Sequence, residues 1–384
     1  MKLIEKITSE GNMELAISKV KRNKGASGID NMPVDELDRY FEENGQAIRK
    51  EVREMKYQPM PVKRTHIPKS NGGKRPLGIP TVKDRVIQQA TAQQLSQLFD
   101  RGFSQYSYGF RPNRSAHQAI ERVLLYLNEG YEWVIDMDIE KYFDTVNHDK
   151  LISILREQVK ERETLRLIRL FLKAGVMENG VTVANKIGVP QGGPLSPILS
   201  NIYLDKLDKE LESRGLNFVR YADDTNIFVK SEMAADRVMK SISSWIERKL
   251  FLKVNLTKTK VVRPTKSQFL GFSFWKGKDG WQCKPSKSSQ VRLYTNLKEI
   301  LVRKQAVSKP LKATFTKVNQ KVMGWINYFR IGSMKTFINK FGQWLRHKVR
   351  VIIVKQWKRP RRIYKKSPTI ESSSTTRFYG RRHI

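Results

Sequence analysis

The stretch at 218–229 sets the terms for the whole chain. Two short runs rich in β-branched and aromatic residues flank the step Tyr221-Ala222-Asp223-Asp224, which reads as an antiparallel hairpin with adjacent carboxylates at its tip. Two aspartates side by side repel each other unless a cation or hydrogen bonds compensate, and carboxylate oxygens are the ligands that Mg²⁺ prefers. The tip is therefore a candidate metal site. Asp-Asp at a solvated turn is also common, so the tip alone does not establish one.

Composition narrows the partner. The 384 residues carry 73 Lys and Arg against 37 Asp and Glu, a net charge of +36, with 39% hydrophobic residues and seven Trp. Such a chain is globular, is long enough for two or more domains, and is too basic for anything but a polyanionic partner, with nucleic acid ahead of an acidic membrane. No apolar run is long enough for a membrane span and no signal-peptide core follows Met1, so no membrane partner is expected. The single cysteine, Cys283, excludes intrachain disulfides and Cys-only zinc sites and fits a reducing cytoplasm. Charge is uneven: 283–370 holds 23 Lys and Arg against one acid, Glu299. A separate basic module behind a more balanced one follows.

In chain order, helical spacing at the N-terminus is broken by a Gly-rich loop at 25–30 and resumes from Val34 to about Met55. Two extended pieces at 66–80 are joined by Asn71-Gly72-Gly73, a hairpin turn flanked by Lys69, Lys74 and Arg75. Those cations either grip a triphosphate or guard an exposed edge. A helix is predicted over 81–99. Aromatics then alternate with Arg111 and Arg114, the composition that stacks on bases and pairs with phosphates, or that simply packs into a core. Ser115 caps a predicted helix over 116–128. At 133–144 an apolar strand carries Asp136 and Asp138 on one face, a second carboxylate cluster. A third carboxylate is what the hairpin tip needs to hold two Mg²⁺ ions roughly 4 Å apart. Helix is predicted across 150–173, then a short strand at 181–184. A loop with three Gly and three Pro surrounds Gln191 and leads into a helix over 198–214. Beyond the Asp-Asp hairpin, 234–250 is helical and 269–274 reads as one further strand containing Gly271. Three helices are predicted at 286–304, 309–331 and 333–358. Trp325, Tyr328, Phe329, Phe337, Phe341 and Trp344 would form their core stripe, leaving Lys and Arg outside.

Taken together, the blocks at 67–80, 107–114, 134–148, 189–200, 221–224, 255–260 and 269–274 resemble, in order, the seven blocks of reverse transcriptases, specifically the bacterial group II intron-encoded class or maturases. Residues 25–30 resemble the extra N-terminal block of that class. The resemblance implies an α+β right-hand polymerase: an N-terminal extension and first block at 1–58, fingers and an antiparallel-sheet palm at 59–283, and a basic α-helical thumb/maturase domain at 284–366. A polar, disordered tail would occupy 367–384. It implies Asp138, Asp223 and Asp224 as catalytic carboxylates that, with the Ile139 backbone, bind two Mg²⁺, Mn²⁺ being a substitute. Lys69, Arg75, Phe143, Gln191 and Lys258 would contact the incoming nucleotide, Phe143 as a ring that excludes a 2′-hydroxyl and Lys258 as proton donor to pyrophosphate. Arg111, Arg114, Tyr221 and Gly271 would contact template and primer, and Asp136 and Asp144 would be supporting acids.

The implied partners are an RNA template with a DNA or RNA primer, deoxynucleoside triphosphates and group II intron RNA, in a bacterial cytoplasm. The ending Leu195-Ser196-Pro197 matches the intron class, whereas the C-terminal tail matches no part of it and leaves target DNA in doubt. Two rivals stand: a splicing maturase with an idle polymerase site, and a group II-derived enzyme serving phage defence or CRISPR spacer acquisition.

Overall fold

The computed structural model describes residues 1–68, 73–178 and 180–357. The chain divides into two compact units, Met1–Pro264 and Thr265–Ile384.

The first unit begins with α1 (Leu3–Ile7), α2 (Glu10–Arg22) and α3 (Leu37–Arg53). Residues 1–58 are no separate body, since Ile7, Ala16, Leu37 and Val52 are buried in the unit's main core. Strands β1 (Val62–Pro68) and β2 (Lys74–Ile79) form the expected hairpin, followed by α4 (Val82–Phe99). Asp84, in the first turn of α4, accepts hydrogen bonds from Tyr57 Oη (2.7 Å), Thr81 Oγ1 (2.7 Å) and the Met60 amide (3.1 Å). One buried carboxylate thus ties the start of the hairpin to the helix that follows it. Helix α5 (Ala116–Asn128) starts where Ser115 predicts: its hydroxyl accepts from the Gln118 amide, and the Gln118 side chain accepts from the Ser115 amide.

Strand β3 (Trp133–Met137) leads through the short α6 (Tyr142–Thr145) to α7 (His148–Arg156) and α8 (Arg162–Lys173). The single helix expected over 150–173 is therefore two. It breaks because Glu161 turns its carboxylate onto the Leu3 and Ile4 amides, capping α1 from 157 residues away in sequence. Strands β4 (Val176–Glu178) and β5 (Val181–Val183) extend the first hairpin into a sheet of order β2-β1-β4-β5. Helix α9 (Ser196–Ser213) carries Pro197 in its first turn, where a missing amide hydrogen costs nothing, and runs through the core.

The second sheet holds the carboxylates. Strands β6 (Asn217–Tyr221) and β7 (Asp224–Val229) form the central hairpin, α10 (Glu232–Trp245) packs on it, and β8 (Lys260–Val262) completes the all-antiparallel order β6-β7-β3-β8. This is the antiparallel palm of the expected fold class.

The second unit opens with β9 (Gln268–Phe269), β10 (Phe272–Gly277) and β11 (Gly280–Pro285), which pair only with one another. The unit boundary consequently falls ahead of the 283/284 position expected from charge. The strand expected across 269–274 is also corrected: Leu270 and Gly271 both take positive φ (50° and 80°) and fold it into a tight turn. Helices α11 (Lys287–Ile300), α12 (Arg303–Ser308), α13 (Leu311–Phe329) and α14 (Lys335–Trp357) follow. Their core gathers Leu297, Val322, Phe341 and Leu345, with Trp325, Phe337 and Trp344 packed against it as the aromatic stripe predicts, whereas Tyr328 and Phe329 pack on Phe272 of β10 and Tyr328 is exposed. Among the described residues of this unit no Lys or Arg is ion-paired. The tail at 367–384 lies outside the described residues.

Replacing Asp84 by Ala would strand the buried hydroxyls of Tyr57 and Thr81 and the partly buried Met60 amide. The expected loss is about 3 kcal/mol of stability, read as a lowered denaturant midpoint with unchanged slope, against almost none for the exposed Asp38→Ala.

Candidate active site

The tip of the central hairpin is shaped from beneath. Tyr221 pairs with Asp224 across it, and Ala222 adopts φ 58°, a conformation that L-residues avoid. What holds Ala222 there is Arg220, whose side chain is completely buried. Its guanidinium donates to both carboxylate oxygens of Asp208 on α9 (2.7 and 2.5 Å), to Asn201 Oδ1 (3.1 Å) and to the Ala222 carbonyl (2.8 Å). A second brace comes from the segment before α5. Tyr108 donates its amide to the Arg220 carbonyl, Arg220 donates to the Tyr106 carbonyl (both 2.9 Å), and Asn201 Nδ2 donates to the Gly109 carbonyl (2.8 Å). Gly109 lies so close to the tip that a Cβ there would fall 2.3 Å from the Ala222 nitrogen, so only glycine fits.

Asp138 sits one residue beyond β3, where the pairing of Met137 with Thr225 continues towards Asp224. Its backbone is fixed by Thr259 Oγ1, which accepts from the Asp138 amide (3.2 Å), and by the Asn255 amide, which donates to the Asp138 carbonyl (2.8 Å). Ile139 bridges Val254, with the ladder bonds falling on its neighbours. The Ile139 carbonyl is thereby left out of the ladder. Lys258 donates Nζ to Asp138 Oδ2 at 3.2 Å.

The carboxylates feel one another. Asp224 stands at the solvent-facing rim, yet its carboxyl is pushed up to about 6, first by desolvation and then by Asp223, Asp136 and Asp138. Asp223 is raised by desolvation and by Asp138, against the pull of Arg75 and Arg220. Asp136 is likewise pushed up to about 6 by desolvation and Asp138, with Lys260 opposing. Among the described residues no three acids, histidines or cysteines already stand together as a closed metal cage. The donor set nevertheless fits a hard divalent cation: three carboxylates share one field, and the nearest compensating charge at Asp138 is the borrowed ammonium of Lys258.

The nucleotide-side residues partly converge. Arg75, on β2, acts electrostatically on Asp223. Gln191 accepts the Gly78 amide on its carbonyl (2.7 Å), and Gly192, at φ 119°, is so near Gly78 that a Cβ would fall 2.5 Å from its oxygen. The other end of that loop is tied to Phe143, whose carbonyl accepts from the Val189 amide (2.6 Å), and to His148, whose Nε2 lies 2.6 Å from the Gly188 carbonyl. Burial pushes His148 below the usual imidazole range, which keeps it neutral as a donor to Gly188. Phe143 packs edge-on against Tyr142, half-buried. Lys69 lies outside the described residues.

Of the residues expected on template and primer, Arg111 is turned inward. Its side chain is only 5% exposed, is ion-paired with Asp100 (2.7 Å), and also donates to the Asp100, Ser104 and Ser107 carbonyls. It organises the loop instead of presenting charge. Arg114 lies over the Tyr108 ring (5.5 Å), partly exposed. Tyr221 flanks the tip, and Gly271 belongs to the second unit. Sequence reasoning missed Arg220, Asp208, Asn201 and Gly109. The one available signal is that an arginine inside an otherwise apolar strand must find a buried acid.

An antiparallel palm sheet with Asp138, Asp223 and Asp224 gathered at one hairpin tip is the class of framework that nucleic-acid polymerases use, and comparison with known proteins states the family. The profile described as "Reverse transcriptase (RNA-dependent DNA polymerase)" matches residues 67–274, and "Group II intron, maturase-specific domain" matches 291–368. The chain belongs to the group II intron-encoded reverse transcriptase/maturase family. Protein YkfC of Escherichia coli (strain K12) is 34% identical over 279 residues, covering 62% of this chain and 73% of YkfC. The group II intron-encoded protein LtrA of Lactococcus lactis subsp. cremoris is 38% identical over 207 residues, covering 54% of this chain but only 34% of LtrA. A solved structure, the partial Cas6-RT-Cas1–Cas2 complex, aligns with TM-score 0.40 and 24% identity over 64% of this chain and 43% of that chain.

Two outcomes follow from the geometry. Arg220→Met leaves Asp208 charged and buried, costing about 3–5 kcal/mol, whereas Arg220→Met/Asp208→Leu recovers most of the melting temperature but not primer extension. Because Asp224 titrates at about 6 and must be ionised to bind a cation, the Mg²⁺ needed for half-saturation, read by calorimetry, rises as pH falls through that value.

Proposed function

We propose that this chain is an RNA-directed DNA polymerase that extends a primer on an RNA template, and that its basic helical unit binds group II intron RNA to assist splicing and retrohoming. The observation that carries the polymerase reading is the shared field of Asp138, Asp223 and Asp224, with Asp138 acting on both tip residues.

In this reading Asp138, Asp223 and Asp224, with the Ile139 carbonyl, hold two Mg²⁺ ions, Mn²⁺ being a substitute. When bound, Mg²⁺ supplies Lewis acidity at the primer 3′-hydroxyl and neutralises charge on the leaving pyrophosphate. The chain's own residues position everything else. Arg75, together with Lys69, draws the triphosphate to the face of the palm, where a guanidinium fork suits phosphate oxygens. Gln191, held to β2 through Gly78, lines the nucleotide site. Phe143, tied to the same loop by the Val189 amide, places a ring where a 2′-hydroxyl would stand, so deoxynucleotides are preferred. Lys258, whose ammonium stands 3.2 Å from Asp138 Oδ2, would be the proton donor to pyrophosphate. The reaction is in-line attack on the α-phosphate, for which positioning and charge neutralisation are the main requirements. The exposed Lys312, Lys317, Arg346 and Lys348 of the second unit supply the surface for RNA backbone.

Primer extension on an RNA template with deoxynucleotides and Mg²⁺ tests this. Wild type extends, and Asp223→Ala/Asp224→Ala loses at least about 10³-fold in rate while keeping salt-sensitive RNA binding. No extension by the wild type would overturn the polymerase reading. Phe143→Ala should admit ribonucleotides, raising their incorporation relative to deoxynucleotides at matched concentrations.

A further inference from the structure

Three of the four aromatic residues between 103 and 110 are spent on the interior. Phe103 and Tyr108 are buried, and Tyr106 packs against the main core. Phe110 alone faces outward, 53% exposed, and it does so at φ 58°. A left-handed conformation strains a non-glycine residue, and a phenyl ring more than half exposed gains little from burial to offset it. The other exposed phenylalanine at positive φ, Phe251, closes a helix, where a left-handed residue is the ordinary cap. Phe110 has no such reason.

The backbone on both sides of Phe110 is over-determined. Gly109 is wedged against Ala222 and held by Asn201, and Arg111 is locked by Asp100, Ser104 and Ser107. The ring is therefore projected from a rigid clip fastened to the Asp223–Asp224 tip, one residue from the contact of Gly109 with Ala222. We propose that Phe110 is a nucleic-acid contact, its ring packing on the nucleobase or sugar face of the template–primer duplex next to the primer end. This rests on the polymerase reading for the identity of the duplex. It replaces Arg111, whose charge is consumed internally, as the residue of this loop that touches nucleic acid. An apolar ring held rigid is suited to that role, since stacking accepts any base and loses little side-chain freedom.

Glycine is the informative substitution, because it relieves the backbone strain while deleting the ring. Phe110→Gly, Phe110→Trp and wild type are compared by fluorescence anisotropy with a labelled RNA template carrying a recessed DNA primer, and by thermal melting. The melting temperature of Phe110→Gly should be unchanged or raised, while its Kd for the primed template rises about 5- to 100-fold. Phe110→Trp should bind like wild type. The slope of log Kd against log salt should be unchanged in all three, because no phosphate contact is lost. Wild-type affinity in Phe110→Gly overturns the proposal, as does a lowered melting temperature, which would place the ring in a structural role. A wild type that binds the duplex and loses affinity on Phe110→Gly, yet never extends the primer, would sink the polymerase reading and leave the contact standing.

Discussion

Everything at the palm depends on one buried ion pair. Arg220 sits in the middle of the hairpin strand with no solvent exposure, and its partner Asp208 is equally buried. Such a pair is poor evidence of stability, because desolvating two charges offsets most of their attraction. Its value here is geometric. The fork uses two of its donors on Asp208 and others on Asn201 and the Ala222 carbonyl, so the position of α9 is transmitted to the one residue whose backbone must bend the wrong way. Asp205, one turn away on the same helix, is pushed up to about 6 by desolvation and by Asp208, so the chain has concentrated more acid there than one arginine can balance. A less rigid arrangement would be cheaper to fold and would let the tip wander.

The same tension recurs above the sheet. Asp136, Asp138, Asp223 and Asp224 are brought together against their own repulsion, which Lys258 and Lys260 on the following segment, and Arg75 and Arg220 at Asp223, soften. The carboxylates by themselves therefore work against the fold. The compensation lies in the apolar core beneath, where Ile135, Phe218 and Ile227 are wholly buried, each worth about 2 kcal/mol or more. A site that binds cations strongly is one that the protein alone cannot satisfy.

How much of this the sequence discloses depends on the range of the interaction. The Asp-Asp hairpin, the Ser115 cap, the strand pair around Lys74 and the amphipathic aromatic helices are set by neighbours in the chain, and all form where periodicity and turn chemistry place them. The misses are tertiary. The helix over 150–173 breaks at Glu161 because that carboxylate is wanted by α1. The strand over 269–274 turns at Leu270, a residue with no turn propensity, because Ser286 and Ser289 both donate to the Gly271 carbonyl and fix the bend from outside. Arg111 resembles a phosphate-binding arginine in composition, and nothing local reveals that Asp100 waits for it. The triad could be assigned by family resemblance, but the Arg220–Asp208–Asn201 support could not, because its three members come from separate places in the chain and are unremarkable singly.

The two units treat charge in opposite ways, and that difference separates recognition from chemistry. Among the described residues every ion pair lies before Pro264, where acids and bases are spent on one another and on the backbone. The lysines and arginines of the second unit are left to solvent, with an apolar core and a few side-chain-to-backbone hydrogen bonds from Trp325 and Gln356 holding its helices together. Charge that is not needed for folding is available for a polyanion, and its contribution is released counterions, which salt abolishes. The Arg220–Asp208 charge beneath the hairpin tip is enclosed and fixed, so its contribution is geometry, which salt hardly touches. Two kinds of electrostatics thus occupy different parts of the sequence: exposed charge in the second unit, and a buried, fully bonded ion pair beneath the hairpin tip in the first.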